Sequence, residues 1–376
     1  MRTDTGALFV RVDGRLHPVE NLASARLIAG APEEPASISA AALSQEHLGA
    51  ALGIPLAPGV FAAEPVAQLH WLACVAHSGA VTVAAQESAI PLSADEAVLA
   101  RTEAGTQPTT WMLTSKGRIA LPEGDTHEGR TVGRRLGIDS TTPTWRVPSD
   151  VIAAAPELAP VAAPDPLPEV RLSDGEYWAR SEEGASTLTE LQTQVLMDLG
   201  AEHRNLSGGE RAELAGAPVA EPVQLPDRAP NFVDLHGEQL CTAGPGQAIF
   251  RLPESGAETG PELDDAHLES AAAGKVGAES RGAGVGPRGA VPVPAGGLAD
   301  FFLGPRAGAI SVDTGMGVQV VTDNGIRHRV PDEGAAAALG LPEPTGGWWP
   351  ALRLLPEGPP LDAATARQVV VPSARP

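Results

Sequence analysis

Short apolar runs that end at tight, glycine-containing turns are the main pattern of this chain, and they are typical of β hairpins. Residues 8–19 read as a strand, a turn and a second strand, and residues 318–330 repeat that order with nearly the same spacing. Asp-Gly and Asn-Gly pairs between two apolar runs are the strongest short-range signal for a hairpin. The predicted turns are formed by Asp13, Gly14, Asp323, Asn324 and Gly325.

Four segments of the chain follow one plan, in which a hairpin is followed by a helix. They lie at residues 7–30, 110–137, 176–200 and 316–340. The predicted helices span residues 20–29, 130–136, 189–199 and 332–339. The third is the clearest, because Leu191, Val195 and Leu199 recur on one helix face. Since the copies are unevenly spaced, they cannot stack as a regular solenoid, and we interpret them as modules attached to another part of the chain.

Apolar strands between these segments predict a central β-rich part. The strand candidates are residues 68–75, 80–86, 239–242, 247–252 and 291–293. The predicted fold class is therefore α+β, an elongated molecule with a central β-rich domain and four hairpin-plus-helix repeat modules. A Gly- and Ala-rich stretch at 258–289 shows no period and is predicted to be a mobile loop.

Domain boundaries follow from this division of the chain. The repeat modules are placed at residues 1–60, 101–165, 166–220 and 301–345, and the second includes a Pro-rich connector. The central β domain is assigned residues 61–100 and 221–300, with the mobile loop in its second part. The Pro-rich tail, residues 346–376, has little helix potential after Pro356 and is predicted to run extended across the modules, joining the first and the last.

The charge of the chain excludes nucleic-acid binding. Its 376 residues include 26 Lys and Arg against 47 Asp and Glu, which gives a net charge of −21. Phosphate backbones require clusters of basic side chains, and the only lysines are Lys116 and Lys275. No stretch approaches the ~20 apolar residues that cross a bilayer. The chain is therefore interpreted either as cytosolic or as a fragment of a larger membrane protein.

No set of residues predicts catalysis. The sequence around Lys275 lacks the upstream glycine of a phosphate-binding loop, and Val276 replaces the Ser or Thr that would hold Mg²⁺, while Lys116 precedes a glycine in a hairpin turn. Asp-Thr-Gly triplets at Asp4 and Asp313 could pair as in aspartic proteases. Because Asp4 has no preceding strand, we favour turn-forming aspartates over a protease.

The two cysteines, Cys74 and Cys241, allow two interpretations, separate buried thiols or one disulfide, and the composition does not distinguish them. His70, Cys74 and His77 are candidate metal ligands by residue type and spacing. On a strand, His70 and Cys74 share one face whereas His77 points to the other, and a structural zinc site needs four converging ligands. We predict neither a metal nor a cofactor.

Specific motifs are spread along nearly the whole chain. The most specific are VRVDGRLHPV at residues 10–19, followed by NLASARL at 21–27, and LLPEGPPLDAATA at residues 354–366. The others are Ile54-Pro55 with Ala57-Pro58-Gly59, Trp71-Leu72-Ala73-Cys74 and Leu240-Cys241. Together they resemble EccB, the bitopic membrane component of the actinobacterial type VII (ESX) secretion core complex.

The resemblance implies an architecture and a location. Family members carry a short cytoplasmic N-terminus and one transmembrane helix before this region, so the chain is expected to be an extracytoplasmic fragment of a single-pass membrane protein. The family has four repeat modules around a central β domain with a disulfide, which implies a bridge between Cys74 and Cys241. The modules are similar in fold to the cell-wall-binding units of phage lysins.

The function implied is that of a structural extracytoplasmic subunit that supports protein export across the actinobacterial cell envelope. The implied partners are EccC, EccD, EccE, the mycosin protease and further copies of the same protein. One alternative is a module that binds peptidoglycan and anchors the machine. Another is an ATPase, a label that the family often carries, although this sequence contains no Walker motif.

We expect the disulfide to be detectable chemically. Titration of the denatured, non-reduced chain should find no free thiol, because bridges persist outside the cytoplasmic membrane. Closing so long a loop stabilises a protein by ~5 kcal/mol on the chain-entropy model, so reduction should lower the melting temperature. Two reactive thiols per chain would contradict both the bridge and the extracytoplasmic location.

Overall fold

The computed structural model describes residues 1–62, 69–102, 108–173, 175–206, 210–211, 214, 216–253, 286–306 and 308–370. The fold is mixed α+β. The helices are α1 (Leu22–Ala29), α2 (Ala40–Leu43), α3 (His127–Leu136), α4 (Ser149–Ile152), α5 (Glu190–Asp198), α6 (Glu333–Leu339), α7 (Trp349–Leu352) and α8 (Ala363–Ala366).

The strands are short, with seven residues at most. They are β1 (Leu8–Val12), β2 (Arg15–Val19), β3 (His70–Val75), β4 (Val81–Gln86), β5 (Ile90–Pro91), β6 (Glu96–Thr102), β7 (Thr109–Thr114), β8 (Gly117–Ala120), β9 (Thr144–Arg146), β10 (Glu169–Ser173), β11 (Glu176–Arg180), β12 (Ala185–Leu188), β13 (His203–Asn205), β14 (Asn231–Phe232), β15 (Glu238–Thr242), β16 (Ile249–Pro253), β17 (Val291–Pro292), β18 (Phe301–Leu303), β19 (Ile310–Asp313), β20 (Val318–Val321), β21 (Arg327–Arg329) and β22 (Thr345–Gly346).

The chain divides into two compact units, and each is discontinuous in sequence. Unit 1 contains Met1–Ala89, Gly237–Cys241 and Leu252–Pro376. Unit 2 contains Ile90–His236 and Thr242–Arg251. The two ends of the chain therefore fold into the same unit.

Three sheets share one order of pairings. In each sheet the first strand pairs antiparallel with the second, the second pairs antiparallel with the third, a helix follows, and a last strand returns parallel to the first. These sheets are β6-β7-β8 with α3 and β9, β10-β11-β12 with α5 and β13, and β19-β20-β21 with α6 and β22. At the N-terminus, β1 and β2 precede α1, and Arg2 forms single bridges, antiparallel to Leu8 and parallel to Ser37, where the other sheets have full strands.

The four predicted helices are present, with ends shifted by at most three residues. Their first turns are capped by the side chains of Asn21, Thr126, Thr189 and Asp332. α3 begins earlier than predicted because the hydroxyl of Thr126 accepts a hydrogen bond from the backbone N–H of Gly129, at 2.9 Å. Three of the helices end at glycines with left-handed backbone conformations, Gly30, Gly137 and Gly340.

The central strands of unit 1 form a sheet in the order β17-β18-β4-β3-β15. β3 and β4 pair antiparallel, and β18 runs parallel to β4. Five of the six residues of β3 are buried, and α7 contacts this strand. In unit 2, β5 pairs with β16. The strands predicted at residues 68–75, 80–86, 239–242, 247–252 and 291–293 correspond to β3, β4, β15, β16 and β17.

Several segments differ from the expectations. The predicted boundaries place residues 96–100 in the central domain, whereas β6 pairs with β7 of the second hairpin. They also place residues 301–303 in the last module, whereas β18 pairs with β4 of the central sheet. The tail, for which the sequence indicates little helix potential after Pro356, contains one four-residue helix there, α8, whose first turn is capped by the carboxylate of Asp362 with a hydrogen bond from the N–H of Thr365 at 2.7 Å. Residues 258–285 of the predicted mobile loop lie outside the described residues.

Each unit has its own apolar core, shared between two hairpin-plus-helix segments. In unit 1 the core joins α1 and the N-terminal hairpin to α6, β20 and the tail, with buried residues that include Ala23, Leu27, Ile54, Val320, Leu339, Leu361 and Ala366. In unit 2 it joins α3 to α5 and the sheet of β10, with Val132, Leu136, Val170, Val195 and Leu196 among its members. The tail also bridges to the N-terminal segment, where Leu52 pairs with Val369.

The core of unit 1 predicts the effect of a cavity. Leu339 at the end of α6 is fully buried, so Leu339→Ala should lower the free energy of unfolding by about 2–5 kcal/mol. Met316 is 79% exposed, and Met316→Ala should change it by less than ~0.5 kcal/mol. Urea unfolding of both variants measures the difference. Equal losses would contradict a core that contains α6.

Candidate functional site

The predicted disulfide is present in the central sheet of unit 1. Cys74 of β3 and Cys241 of β15 lie on neighbouring strands, with their sulfur atoms 2.05 Å apart and their Cα atoms 3.9 Å apart. Both residues are fully buried, as predicted. The bridge therefore ties residues from two distant parts of the chain into one sheet.

The turn of the last hairpin packs directly on this central sheet. Trp71 of β3 stacks against Phe302 of β18, with ring centroids 6.4 Å apart. Gly325 also packs against Phe302, because a Cβ atom at Gly325 would lie 2.6 Å from the Cβ of Phe302. Only glycine therefore fits at this turn position, which also has a left-handed backbone with φ of 78°.

The predicted turn residues form two different hairpin turns. Asp13 and Gly14 both have positive φ, 46° and 77°, as in the two-residue type I′ turn. In the last hairpin the turn is longer, and Asp323, Asn324 and Gly325 are the middle three of the five residues between β20 and β21. In this turn the N–H of Gly325 donates a hydrogen bond to the carbonyl of Thr322 at 3.0 Å. Both sets of turn residues thus shape the backbone and form no chemical site.

The helix interface of unit 1 is completed by an arginine that sequence reasoning missed. Arg26 in the last turn of α1 donates from Nη1 to the carbonyl oxygen of Leu339, the last residue of α6, at 2.8 Å. Helix C-termini leave carbonyls without partners and carry partial negative charge, so a guanidinium is favourable there. The same guanidinium lies 5.7 Å from the ring centroid of Phe61. Only its place near the end of a predicted helix could have indicated this role.

His328 of β21 joins three segments of unit 1. The residue is fully buried, with Nδ1 2.8 Å from the carbonyl oxygen of Pro359 and Nε2 3.2 Å from that of Leu56. Its ring packs against Gly358, where an added Cβ would lie 2.2 Å from Cε1. Burial disfavours the charged ring and lowers the pKa of His328 below its usual 6.5, although both carbonyls oppose this.

His17 occupies the corresponding place in the N-terminal hairpin. Its Nδ1 lies 2.8 Å from the carbonyl oxygen of Ala50, and its ring packs against Gly49 as His328 packs against Gly358. A histidine stacked on a glycine therefore fixes the segment that follows each of these two hairpins.

Unit 2 uses a charged pair at its helix interface. The guanidinium of Arg135 in α3 donates two hydrogen bonds to the carboxylate of Asp198 in α5, at 2.7 and 2.9 Å, and a third to Gln194 at 3.0 Å. The hydrogen bond from Arg135 is the main reason that the pKa of Asp198 is lowered. This fork geometry orients α3 against α5.

The structure does not bring the other candidate residues together into a site. Asp4 and Asp313 are exposed, and Asp313 accepts a hydrogen bond from the N–H of Gly315 at 2.9 Å in a turn-forming arrangement. Cys74 is in the disulfide and is not available as a partner of His70 and His77. Across the described ranges, no group of three or more His, Cys, Asp or Glu side chains could hold a metal ion.

The two lysines contribute no nucleotide site that the structure describes. Lys116 lies in the turn between β7 and β8, as predicted. Lys275 lies outside the described residues.

Comparison with known proteins identifies the family. The family model described as type VII secretion system ESX-1, transport TM domain B, matches residues 1–170 and 170–372. The chain belongs to the EccB family. The resemblance seen in the sequence motifs is thereby confirmed over nearly the whole chain.

Relatives from mycobacteria match with moderate identity. The ESX-5 secretion system ATPase EccB5 of Mycobacterium tuberculosis is 30% identical over 407 residues, which covers 96% of this chain and 78% of that protein. The ESX-3 secretion system ATPase EccB3 of the same species is 28% identical over 426 residues, covering 99% and 77%.

Solved structures of EccB proteins share the fold. A chain of an intact ESX-5 inner membrane complex has a TM-score of 0.69 at 24% identity and covers 100% of this chain and 82% of that chain. The EccB3 dimer from the ESX-3 core complex has a TM-score of 0.72 at 23% identity, covering 98% and 99%. In the part of this EccB chain that the structure describes, every helix is too short or too polar to cross a bilayer.

His328 predicts a specific pH dependence of stability. Because its pKa in the folded chain is below 6.5, the unfolded chain binds the proton more readily. The contribution of His328 to stability is therefore complete above pH 6.5 and is lost as the pH falls below that value. Urea unfolding between pH 8 and pH 5 should show this loss in the parent chain, and the loss should be smaller in His328→Gln.

A matched control is His127→Gln, because His127 is exposed at the start of α3. This variant should keep the pH dependence of the parent chain. If His328→Gln also keeps it, the buried neutral ring is not the cause.

Proposed function

We propose that this EccB chain is a structural subunit on the extracytoplasmic side of a type VII secretion core complex, where it supports protein export. The observation that carries the proposal is that the residues shared with the family serve packing. Asp13 and Gly14 form a turn, Cys74 forms a disulfide, and Leu361 is buried in the core of unit 1. Such residues specify a shape for assembly, and none of them supplies a reactive group.

We propose further that the hairpin-plus-helix segments are four copies of one module attached to the central β strands. The shared order of pairings in the three full sheets supports this. At the N-terminus, the two bridges of Arg2 have the same directions as the pairings of the first strand in those sheets. The stacked pairs of His17 with Gly49 and of His328 with Gly358 support it independently. The first and last copies share one core, and the second and third copies share the other.

The extracytoplasmic location is supported by the buried disulfide, since such bridges persist in oxidising compartments. Similar chains come from an ESX-5 inner membrane complex and from the periplasmic assembly of that complex. We therefore place this chain on the same side of the membrane, as part of a protein that is anchored by a single span in its full-length form.

The proposed partners are a second copy of the chain and the other core components. Self-association is supported by the dimer of EccB3, whose chain this one matches nearly end to end. Contacts with EccC, EccD, EccE and the mycosin protease are expected from the architecture of the family. The α3–α5 interface keeps the second and third modules in a fixed relation, so these contacts should depend on it.

A charge reversal tests this function. In an actinobacterial host that depends on the full-length protein for export, Arg135→Glu places two carboxylates together at the α3–α5 interface and should reduce both complex assembly and export severalfold. The double variant Arg135→Glu with Asp198→Arg restores the opposite charges and should recover both. Native gels of the purified complex and immunoblots of exported protein give the two readouts.

The same strains separate the alternatives. ATP binding in calorimetry, together with full export by Arg135→Glu, would contradict a structural role. If the chain is retained on purified peptidoglycan and the core complex assembles normally in a strain that lacks the chain, a wall-binding module is favoured instead.

A further inference from the structure

Unit 2 contains a groove that the packing of the modules does not use. We define the proline groove by its walls, Pro164, Pro166 and Pro222, and by its floor, Ala179 and Ser186. The floor residues are opposite each other on β11 and β12. The cavity has a volume of about 490 Å³, which is enough to enclose side chains of a bound peptide.

The rim of the proline groove is acidic. Glu182, Glu183 and Glu221 are exposed along it, and none of them forms an ion pair with a residue that the structure describes. Elsewhere the carboxylates of Glu157 and Glu357 are paired with arginines at 2.7 Å. Three unpaired carboxylates around an apolar cavity favour a ligand with positive charges.

The floor of the groove offers a free polar group. Ser186 is only 9% exposed, and its hydroxyl makes no hydrogen bond with the described part of the chain. A buried hydroxyl at the bottom of an apolar cavity is left without a partner unless a ligand or water supplies one. This observation indicates a ligand independently of the charges at the rim.

A short extended segment beside the groove, residues 218–220, bridges to β12 and completes the surface. The N–H of Ala185 donates to the carbonyl of Pro218 at 2.9 Å, and the N–H of Ala220 donates to the carbonyl of Ala185 at 3.1 Å. Val219, between them, is 90% exposed, and its own N–H and C=O make no hydrogen bond with described residues. An extended peptide can pair with the edge of such a segment.

We propose that the proline groove binds an extended, basic peptide segment of a partner protein. Its Arg or Lys side chains pair with Glu182, Glu183 and Glu221, an apolar or proline side chain enters the cavity, and its backbone pairs with Val219. Anionic wall polymers are disfavoured, because the rim carboxylates repel them. This inference goes beyond the structural role proposed above and does not depend on it.

The test uses the purified chain and a fluorescein-labelled nonapeptide with three Arg-Pro-Val repeats. Fluorescence anisotropy should show saturable binding, and a peptide with Glu in place of Arg should not bind. The triple variant Glu182→Gln, Glu183→Gln and Glu221→Gln should weaken binding about tenfold, since three exposed ion pairs are lost. Val219→Pro, which removes the edge N–H, should weaken it as well.

The matched control carries the same change of net charge at exposed positions that do not line the groove, as Glu87→Gln, Glu123→Gln and Glu202→Gln. It should bind the Arg-Pro-Val peptide within about twofold of the parent chain. Equal weakening by both triple variants would overturn the proposal, because attraction would then arise from net charge alone. Binding of soluble peptidoglycan fragments that the groove variant abolishes would overturn it as well.

Two further outcomes are decisive. Sedimentation can show that the parent chain and the control variant self-associate whereas the groove variant does not. In that case the occupant of the groove is a second copy of the chain, and the proposal fails. If the peptide binds as expected while Arg135→Glu leaves assembly and export intact, the groove is supported and the structural role is the part that fails.

Discussion

A helix of seven to ten residues cannot bury its apolar face against one hairpin alone, and this constraint organises both units of the chain. Short helices and isolated hairpins are each marginal in water. In unit 1, α1 packs against α6 and α8, and in unit 2, α3 packs against α5. Each hairpin-plus-helix segment is therefore completed by another, and the cores of both units lie between such partners.

The polar side chains at these interfaces satisfy groups that the packing would otherwise leave unpaired. Arg26 supplies a donor to the last carbonyl of α6, and His328 lies between two backbone carbonyls contributed by other segments. Arg135 performs the same task for a carboxylate of α5. Buried polar groups need partners, and the arginine and histidine side chains at these interfaces serve structure in this way.

Within unit 1, the central strands are held together and joined to the last hairpin by covalent and apolar contacts. The disulfide between Cys74 and Cys241 fixes β3 beside β15, while Trp71 and Phe302 continue the contact to the turn at Gly325. This EccB chain also contains an open surface feature, the proline groove of unit 2. Arg26, Arg135 and His328 have partners at the interfaces, whereas the rim carboxylates form no ion pair with a described residue, and this difference is the basis of the proposed docking surface.

The sequence by itself determined the features that depend on neighbouring residues. The turns at Asp13-Gly14 and Asn324-Gly325, the four longer helices and the main central strands follow from local patterns, because hydrogen bonds of turns and caps span only a few residues. The pairing of Cys74 with Cys241 came from the resemblance to the family, since two cysteines alone were compatible with free thiols.

Only the tertiary structure decided which segments meet. Strands as short as β9, β13 and β22 exist because they pair with a first strand that is about 30 to 45 residues earlier, and no local pattern marks them. The contact of Arg26 with Leu339 joins residues 313 positions apart. The proline groove likewise needs three separate segments to meet, because its walls, floor and rim acquire a common function only when packing brings them to one surface.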